Sequence, residues 1–285
     1  MGNEKVLVIG LGEIGRTLFE ILNKSKNFNV YGLDINATRM QSIEQNQNMI
    51  PSKVDIIHIC IPFKNQEKFL KIVNLYATNY KPNLLIINST VIPGTTQKVY
   101  EQYKCLVAHS PVRGVHENLN HMIWEMQRWL KYVGGVDSKS TESTCRHFIK
   151  AGLRVKQFKS SKESELAKLF ETTYRAWMIA CFQEMHRISG TFEADFDNLI
   201  DFLEDTHLIR LDRPIMFPDF IAGHCLIPNT ELLLNAYESE FLRLILKSNE
   251  KRSFDLKDEI TVQEIKKMKK RTKDLQKKIM EKMNG

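Results

Sequence analysis

Residues 5–15 read KVLVIGLGEIG, and this stretch decides the fold of the chain. Residues 6–9 form a continuous apolar run, which is typical of a strand buried on both faces of a parallel sheet. Three glycines follow, and apolar residues then recur at helical spacing at Ile14, Leu18, Ile21 and Leu22. The stretch therefore predicts a strand, a tight glycine turn and a helix in immediate succession.

The rest of the N-terminal half repeats this alternation, whereas the C-terminal half has helical spacing. Apolar runs predict further strands at 29–33, 54–61, 84–88, 104–108 and 131–134. The later part of the chain predicts a long helix over 163–188 and helices over 196–204, with Asp195 as its cap, and 230–247. We therefore expect an α/β fold: a Rossmann doubly wound parallel sheet followed by an all-helical domain with a long central helix.

Composition predicts a Rossmann domain over 1–160, a helical central domain over 161–250 and a Lys-rich tail over 251–285. The tail holds twelve basic and six acidic side chains, so most of the formal net charge of +7 lies there. Its apolar residues recur at roughly heptad spacing at Ile265, Met268, Leu275 and Ile279. This pattern predicts an amphipathic helix that packs on a dimer, with RNA or an acidic partner as the alternative that we favour less.

The distribution of the cysteines limits the cellular compartment and the kinds of site that the sequence predicts. All five are scattered singly, which predicts neither a disulfide framework nor a metal site. No run of the sequence approaches twenty apolar residues, so no transmembrane helix is expected, and the N-terminus reads as a strand rather than a signal peptide. Together these features predict a cytoplasmic protein without a membrane segment.

The glycine turn is the first candidate site, because GxGxxG stands between a predicted strand and a predicted helix. Its glycines allow the tight turn, the approach of a pyrophosphate and close helix–strand packing, and the helix start offers N–H groups to phosphates. Asp34, after the second strand, would accept hydrogen bonds from a ribose and repel a 2′-phosphate, so NAD is expected rather than NADP. The expected contacts in the turn are Gly10, Gly12, Glu13, Ile14 and Gly15.

Six further segments occur in order: DIIHICIP (55–62), NSTVIPGTT (88–96), HSPVR (109–113), KYVGG (131–135), ELAKLFETTYRAWMIACFQE (165–184) and FIAGHCLIPN (220–229). This succession resembles the UDP-glucose/GDP-mannose dehydrogenase family. The resemblance implies a Rossmann domain, a central helix that forms a homodimer, and a further domain that grips the nucleotide. It also implies oxidation of a sugar C6 alcohol to a carboxylate with two NAD. Only thirty-five residues follow residue 250, so we expect that further domain to be absent.

The same resemblance implies roles for individual residues. Cys225 matches the cysteine that takes up an aldehyde as a thiohemiacetal and passes through a thioester. Lys168 matches a helix lysine that stabilises an alkoxide or relays a proton. Arg113 resembles the arginine of the branch that acts on N-acetylated hexosamines. The remaining expected contacts are Ile61, Pro62, Ser89 and Thr90 for the cofactor, with Thr90 near the nicotinamide, and His224 and Asn229 for the substrate.

Three positions depart from the family pattern. Thr172 stands where the family carries Asn, and Asn229 stands where it usually carries Asp. A glutamate that handles water and the thioester falls near His116 or Glu117, and His116 in that place could serve as a base near neutral pH. Without either, oxidation would stop at the aldehyde. The expected catalytic residues are Cys225, Lys168, Thr172 and His116.

Two other functions remain open on the sequence alone. A short 3-hydroxyacid dehydrogenase would also use a helix lysine such as Lys168, and it would move one hydride and leave Cys225 incidental. An NAD-binding scaffold whose catalytic residues have drifted would account for Thr172 and Asn229. For the dehydrogenases the expected partner is a small molecule, and the expected assembly is a homodimer.

Overall fold

The computed structural model of the chain describes residues 3–43, 49–114 and 118–284, apart from the side chains at 278 and 280–284. The chain divides into two compact units, Met1–Lys168 (unit 1) and Leu169–Gly285 (unit 2). The domain boundaries expected from composition, at 160 and 250, remain predictions.

Unit 1 contains a seven-stranded sheet in the order β2-β1-β3-β4-β5-β6-β7. Every neighbouring pair is parallel except β5 and β6, which are antiparallel. The first connection leads from β1 to one side of the sheet and the next returns to the other side, so the strand order reverses beside β1. The strands are β1 Glu4–Ile9, β2 Phe28–Leu33, β3 Ile56–Ile59, β4 Leu84–Ile87, β5 Leu106–His109, β6 Lys131–Gly135 and β7 Val155–Gln157.

Helices cover both faces of this sheet: α1 Glu13–Lys24, α2 Ala37–Gln41, α3 Gln66–Tyr80, α4 Thr95–Tyr103, α5 Leu119–Arg128 and α6 Ser138–Lys150. Successive residues of β1 point to opposite faces, so Val6 and Val8 belong to one buried cluster and Leu7 to another. The first cluster includes side chains of α1, α5 and α6, and the second includes side chains of α3 and α4. The continuous apolar run at residues 6–9 is thus explained by burial on both faces, and the doubly wound fold is confirmed.

Unit 2 is helical. The helix α7 Ser161–Thr191 begins in unit 1, and α8 Phe196–Arg210, α9 Leu226–Ala236, α10 Glu240–Asp255 and α11 Glu259–Asn284 follow. The Asp195 side chain accepts hydrogen bonds from the first turn of α8, as expected of a cap. In α11, Met268 and Leu275 pack with Phe182 and Ile200 in a buried cluster. The predicted long central helix and the amphipathic tail helix are therefore both present.

One expected helix of unit 2 differs from the structure in its end and its beginning, and one strand of unit 1 was not expected. The single helix predicted over 230–247 is wrong, because the chain breaks after Ala236 and Ser239 caps α10. The preceding helix also begins earlier than expected, at Leu226, because Pro228 lies in its first turn, where a missing N–H costs nothing. The strand β7 was not predicted because its sequence, VKQ, is short and mostly exposed.

Part of the charge of α11 is paired with acidic side chains within unit 2. Arg271 binds three acidic side chains of α8: it lies 2.8 Å from Asp197 and 2.6 Å from Glu204, and it also pairs with Asp201. Lys267 adds a 2.7 Å pair to Asp197. These contacts tie the basic tail to the acidic face of α8. In the part of the chain that the structure describes, no helix has both the length and the apolar character needed to cross a membrane.

Candidate functional site

The glycine turn packs so closely that two of its glycines have no substitute. Gly10 has φ +86°, and a Cβ on it would lie 2.5 Å from the Cys60 carbonyl oxygen. A Cβ on Gly15 would lie 1.7 Å from the Gly10 carbonyl oxygen. The first contact brings the turn onto the residue that follows β3, and the second brings α1 onto the turn. Only glycine permits both approaches.

Gly12 has a different environment. It is the N-cap residue of α1, and a Cβ on it would meet only Arg39 Nη1, at 3.8 Å, among the described atoms. The backbone N–H groups of Glu13 and Ile14 begin α1 next to this uncrowded position. A helix start with this exposure fits phosphate oxygens, because its N–H groups and the helix dipole both favour an anion.

Asp34 lies buried beside this helix start. Its carboxylate accepts a 2.6 Å hydrogen bond from Leu11 N and a 2.8 Å hydrogen bond from Asn36 N. Arg39, at the start of α2, places Nη1 3.3 Å from Asp34 Oδ2. A carboxylate has about four acceptor positions, so Asp34 keeps capacity for a ribose hydroxyl. Arg39 was not singled out from the sequence, although a cation five residues after the acidic residue was available as a signal.

The remaining predicted cofactor residues lie at the same edge of the sheet. Ile61 and Pro62 follow β3, and Ser89 and Thr90 follow β4. The Ser89 hydroxyl donates to the Ile61 carbonyl across 2.6 Å and so ties these two loops together. In an open α/β sheet, ligands bind outside the carboxyl ends of the strands where the strand order reverses. The predicted cofactor residues all lie at that edge.

A buried polar network connects the strand ends at this edge of the sheet. Asn88 donates to the Ser110 carbonyl across 2.7 Å, and Lys131 Nζ donates to the same oxygen across 2.8 Å. Burial lowers the pKa of Lys131 to about 7, with the positive charge of Lys168 adding to the effect. Asn88 also accepts from His58 Nδ1 at 2.9 Å, and burial lowers the pKa of His58 to about 4. The network therefore joins the ends of β4, β5 and β6.

Lys168 belongs to this neighbourhood, because its charge lowers the pKa of both His109 and Lys131. The first turns of α7 are fixed by Glu165, which accepts from Gly94 N at 2.6 Å and from Thr96 N at 2.8 Å. Glu165 thereby caps α4, and burial raises the pKa of its carboxyl group. Lys168 follows Glu165 by three residues, so the anchor of α7 also places the lysine.

Arg113 lies after β5 and has a structural partner. Its guanidinium donates to the Leu130 carbonyl across 3.0 Å and lies 4.9 Å from the centre of the Trp129 ring and 5.2 Å from that of Tyr132. Its planar donors are thus placed by two aromatic rings. His116 and Glu117, the alternatives for the missing glutamate, lie outside the described residues.

Unit 2 holds the other predicted residues. Cys225 is half-buried and is the N-cap residue of α9, and the exposed His224 precedes it. Asn229, in the first turn of α9, donates to the Thr172 hydroxyl of α7 across 3.2 Å. The structure therefore brings together two of the three positions that depart from the expected family pattern. A thiolate at Cys225 would gain from the positive end of the helix dipole.

Three of the other thiols are less suited to nucleophilic chemistry. None of the five cysteines, all of which lie in the described part of the chain, forms a disulfide bond. Burial raises the pKa of Cys60 and of Cys105 to about 12, and it also raises that of Cys145. A protonated thiol is a poor nucleophile, so these three are poor candidates.

A cavity of about 400 Å³ lies elsewhere in unit 1. It is bordered by residues that begin strands, such as Glu4, Leu84 and Leu106, and by Arg146 and Lys150 of α6. These positions mark the amino edge of the parallel strands, opposite to the glycine turn. The cavity is therefore separate from the predicted cofactor residues.

Curated relatives support the family resemblance. The UDP-N-acetyl-D-mannosamine dehydrogenase of Methanocaldococcus jannaschii is 27% identical, over 78% of this chain and 60% of that protein. That of Methanococcus aeolicus is 26% identical, over 78% of this chain and 58% of that protein. The chain thus spans about three fifths of the length of these relatives.

Solved structures show the same fold at lower identity. UDP-D-ManNAc dehydrogenase from Pyrococcus horikoshii matches with a TM-score of 0.73 at 20% identity, over 87% of this chain and 68% of that chain. Mycobacterium tuberculosis 3-hydroxyisobutyrate dehydrogenase matches with a TM-score of 0.65 at 14% identity, over 90% of this chain and 95% of that chain.

The model of a protein family described as "UDP-glucose/GDP-mannose dehydrogenase family, central domain" matches residues 162–251 of this chain. This range contains the ELAK segment with Lys168 and the AGHC segment with Cys225. Residues 162–251 of the chain are thus similar to the central domain of the UDP-glucose/GDP-mannose dehydrogenase family, as its motifs predicted.

Proposed function

We propose that this chain is an NAD-dependent oxidoreductase that oxidises the primary alcohol of a nucleotide sugar. The observation that carries the proposal is the open helix start at Gly12 beside the Asp34 carboxylate, at the carboxyl edge of a doubly wound sheet. The substrate class is supported by the curated relatives, which are named UDP-N-acetyl-D-mannosamine dehydrogenases.

In this proposal the chain's own groups hold the cofactor at the carboxyl edge of unit 1. The N–H groups that begin α1 bind the pyrophosphate, and Asp34 binds the adenosine ribose. Thr90, Ser89, Ile61 and Pro62 border the nicotinamide end. Bound NAD supplies the hydride acceptor. The negative charge of Asp34 disfavours a 2′-phosphate, although Arg39 beside it reduces that selectivity.

The protein groups then act on the substrate. The cationic side chain of Lys168 stabilises the alkoxide as the alcohol loses its proton, and loss of a hydride from the same carbon gives the aldehyde. The Cys225 thiolate adds to the aldehyde carbon to form a thiohemiacetal. Loss of the hydroxyl proton to water and of a hydride to a second NAD turns the thiohemiacetal into a thioester, which water hydrolyses to the carboxylate and the free thiol. Arg113, His224, Thr172 and Asn229 are proposed to contact the substrate, and the part of His116 in the hydrolysis stays a prediction.

The proposed assembly is a homodimer through α7. Phe170, Tyr174, Cys181 and Ile188 are exposed and lie at spacings of four, seven and seven residues, so they share one face of the helix. An exposed apolar stripe of this kind is typical of an interface between subunits. Sedimentation equilibrium of the wild type and of Tyr174→Glu tests it: the wild type should have the mass of a dimer and the variant that of a monomer. A cytoplasmic location also stays a prediction.

The function is tested by following NADH formation with purified protein, NAD and separate nucleotide sugars. UDP-N-acetylmannosamine, UDP-glucose and GDP-mannose are the first candidates, and NADP replaces NAD as the cofactor control. NADH formation with one of these sugars supports the proposal. Tight NAD binding without turnover on any sugar would instead favour a scaffold in which catalysis has been lost.

A second candidate is a 3-hydroxyacid dehydrogenase that uses Lys168. It is supported by one observation: the 3-hydroxyisobutyrate dehydrogenase structure matches 90% of this chain with a TM-score of 0.65. The variant Cys225→Ser separates the two candidates. Loss of the second oxidation supports the sugar dehydrogenase, and unchanged turnover of a 3-hydroxyacid supports the alternative.

A further inference from the structure

We propose that Asn249 of α10, together with Gln183 of α7, is a positioning residue for the loop that carries Cys225. The inference rests on the proposed function in one respect, the role of Cys225 as a nucleophile. Asn249 lies outside the motif segments, whereas Gln183 lies near the end of the segment 165–184, and both residues belong to unit 2.

The Asn249 side chain binds the backbone of Ile221 through both of its ends. Ile221 N donates to Asn249 Oδ1 across 2.7 Å, and Asn249 Nδ2 donates to the Ile221 carbonyl across 3.3 Å. The amide therefore satisfies the donor and the acceptor of one backbone residue, as a neighbouring strand would. This pairing fixes both the position and the direction of the chain at Ile221.

Gln183 extends the grip by two residues toward the N-terminus. Its Nε2 donates to the Asp219 carbonyl across 2.7 Å and also lies 3.4 Å from Asn249 Oδ1. Because the Asp219 carbonyl can only accept, this bond sets the orientation of the amide, and Gln183 Oε1 accepts from the Ser248 hydroxyl across 2.8 Å. Arg252 adds a 2.9 Å bond from Nη2 to the Gln183 carbonyl. Gln183, Asn249 and Arg252 thus form a connected polar cluster between α7 and α10.

Burial makes these bonds consequential. Asn249 is 6% exposed, Gln183 is fully buried and Ile221 is 4% exposed. A buried amide or backbone group that loses its partner costs far more than a solvated one. The segment 219–221 therefore has a strong preference for the position that the two amides give it.

Cys225 follows this grip by four residues. The intervening residues 222–224 are exposed, and the chain is held again at Asn229, which donates to Thr172 of α7. The loop that carries Cys225 thus lies between two fixed segments, 219–221 and the first turn of α9, and each of them is hydrogen-bonded to α7. Removing the first anchor should let the thiol move relative to the start of α9.

The test measures Cys225 itself and needs neither NAD nor a substrate. The full-length protein is alkylated with iodoacetamide between about pH 6 and pH 10, a range that brackets an ordinary thiol, and the rate at Cys225 is read by peptide mass spectrometry. Asn249→Leu keeps a similar volume and removes both bonds. Ser253→Ala, on the exposed face of the same helix, is the matched control. Labelling of Cys145, which is buried in unit 1, reports unfolding of that unit, and circular dichroism reports whether the helices of unit 2 stay folded.

In Asn249→Leu we expect the rate at Cys225 to change by about tenfold and its pH midpoint to shift, while labelling of Cys145 and the rates in Ser253→Ala stay at wild-type values. A folded Asn249→Leu protein with the wild-type rate and midpoint would overturn the proposal. If Asn249→Leu does not fold, Gln183→Met, which removes the bond to Asp219, decides by the same two criteria. Because no turnover is measured, an inactive protein would contradict the proposed function and leave this result standing.

Discussion

The side-chain amide of Asn229 donates a hydrogen bond of 3.2 Å to the hydroxyl of Thr172, which itself donates to the Leu169 carbonyl across 3.0 Å. Both residues are buried. They are two of the three positions at which the sequence departs from the expected family pattern, and the structure shows that they are partners. The two side chains therefore form a donor–acceptor pair, so that a change at one position bears on the other.

This pairing predicts energetic coupling between the two positions. Thr172→Val and Asn229→Leu should each destabilise unit 2, and the double variant should lose less than the sum, with a coupling of about 1 kcal/mol. Urea unfolding of the four proteins measures the coupling. Strict additivity would show that the 3.2 Å contact contributes nothing to stability.

The glycine turn predicts opposite outcomes for two similar substitutions. Gly12→Ala adds a Cβ in open space, so the fold and melting temperature should stay close to wild type while NAD affinity falls by about tenfold or more, because the methyl group occupies the place of the pyrophosphate. Gly15→Ala adds a Cβ 1.7 Å from the Gly10 carbonyl oxygen and should unfold or strongly destabilise unit 1. Calorimetric titration with NAD and thermal melting check both. Equal NAD affinity in Gly12→Ala and wild type would contradict the assigned site.

Asp34 and Arg39 predict how the cofactor is selected. Asp34→Ser removes the charge that disfavours a 2′-phosphate and leaves Arg39 to bind it, so NAD affinity should fall and NADP affinity should rise, each by about tenfold. The double variant Asp34→Ser/Arg39→Ala is the matched control and should lose the gain for NADP. Dissociation constants from protein fluorescence decide the matter, and an unchanged ratio of NADP to NAD affinity in Asp34→Ser would count against the ribose assignment.

The buried histidines predict acid lability. Burial lowers the pKa of His58 from 6.5 to about 4, so between these values the unfolded chain binds a proton that the folded protein does not. Stability from this group is complete above pH 6.5 and is lost as the pH falls toward 4. His58→Gln should therefore reduce the slope of unfolding free energy against pH in that window by about 1.4 kcal/mol per pH unit.

Urea unfolding between pH 4.5 and 7 measures the slope, since this range extends from acid pH to just above the ordinary histidine pKa of about 6.5. His121→Gln, on α5, is the matched control. His58→Gln with the wild-type slope would show that His58 is protonated in the folded protein.

The sequence was most informative where one pattern had one physical cause. The apolar run at residues 6–9 and the three glycines predicted the β1–turn–α1 unit, because burial on both faces and close packing leave few alternatives. It was less informative at α9 and α10, where apolar spacing continues across the break at Tyr237. Helix ends depend on caps such as Ser239, and a capping serine cannot be distinguished from a solvated one by periodicity.

The supporting residues of the site were also beyond prediction from sequence. Glu165 and Asn249 act through tertiary contacts with residues that are distant in the chain, and their own segments resemble ordinary solvated helix. The sequence indicated Lys131 only as part of a strand, although its side chain is buried and its amine donates to two carbonyl oxygens. The residues that touch a ligand were suggested by motifs, whereas those that hold them in place required the structure.

The central claim is that Cys225 carries a second oxidation of a sugar alcohol. The most direct measurement is the ratio of NADH formed to nucleotide sugar consumed, for the wild type and for Cys225→Ser. We expect about two NADH formed per nucleotide sugar consumed in the wild type and about one in the variant, with the aldehyde as the product of the variant. The same ratio in both proteins, or no NADH from any nucleotide sugar in a protein that binds NAD, would contradict it.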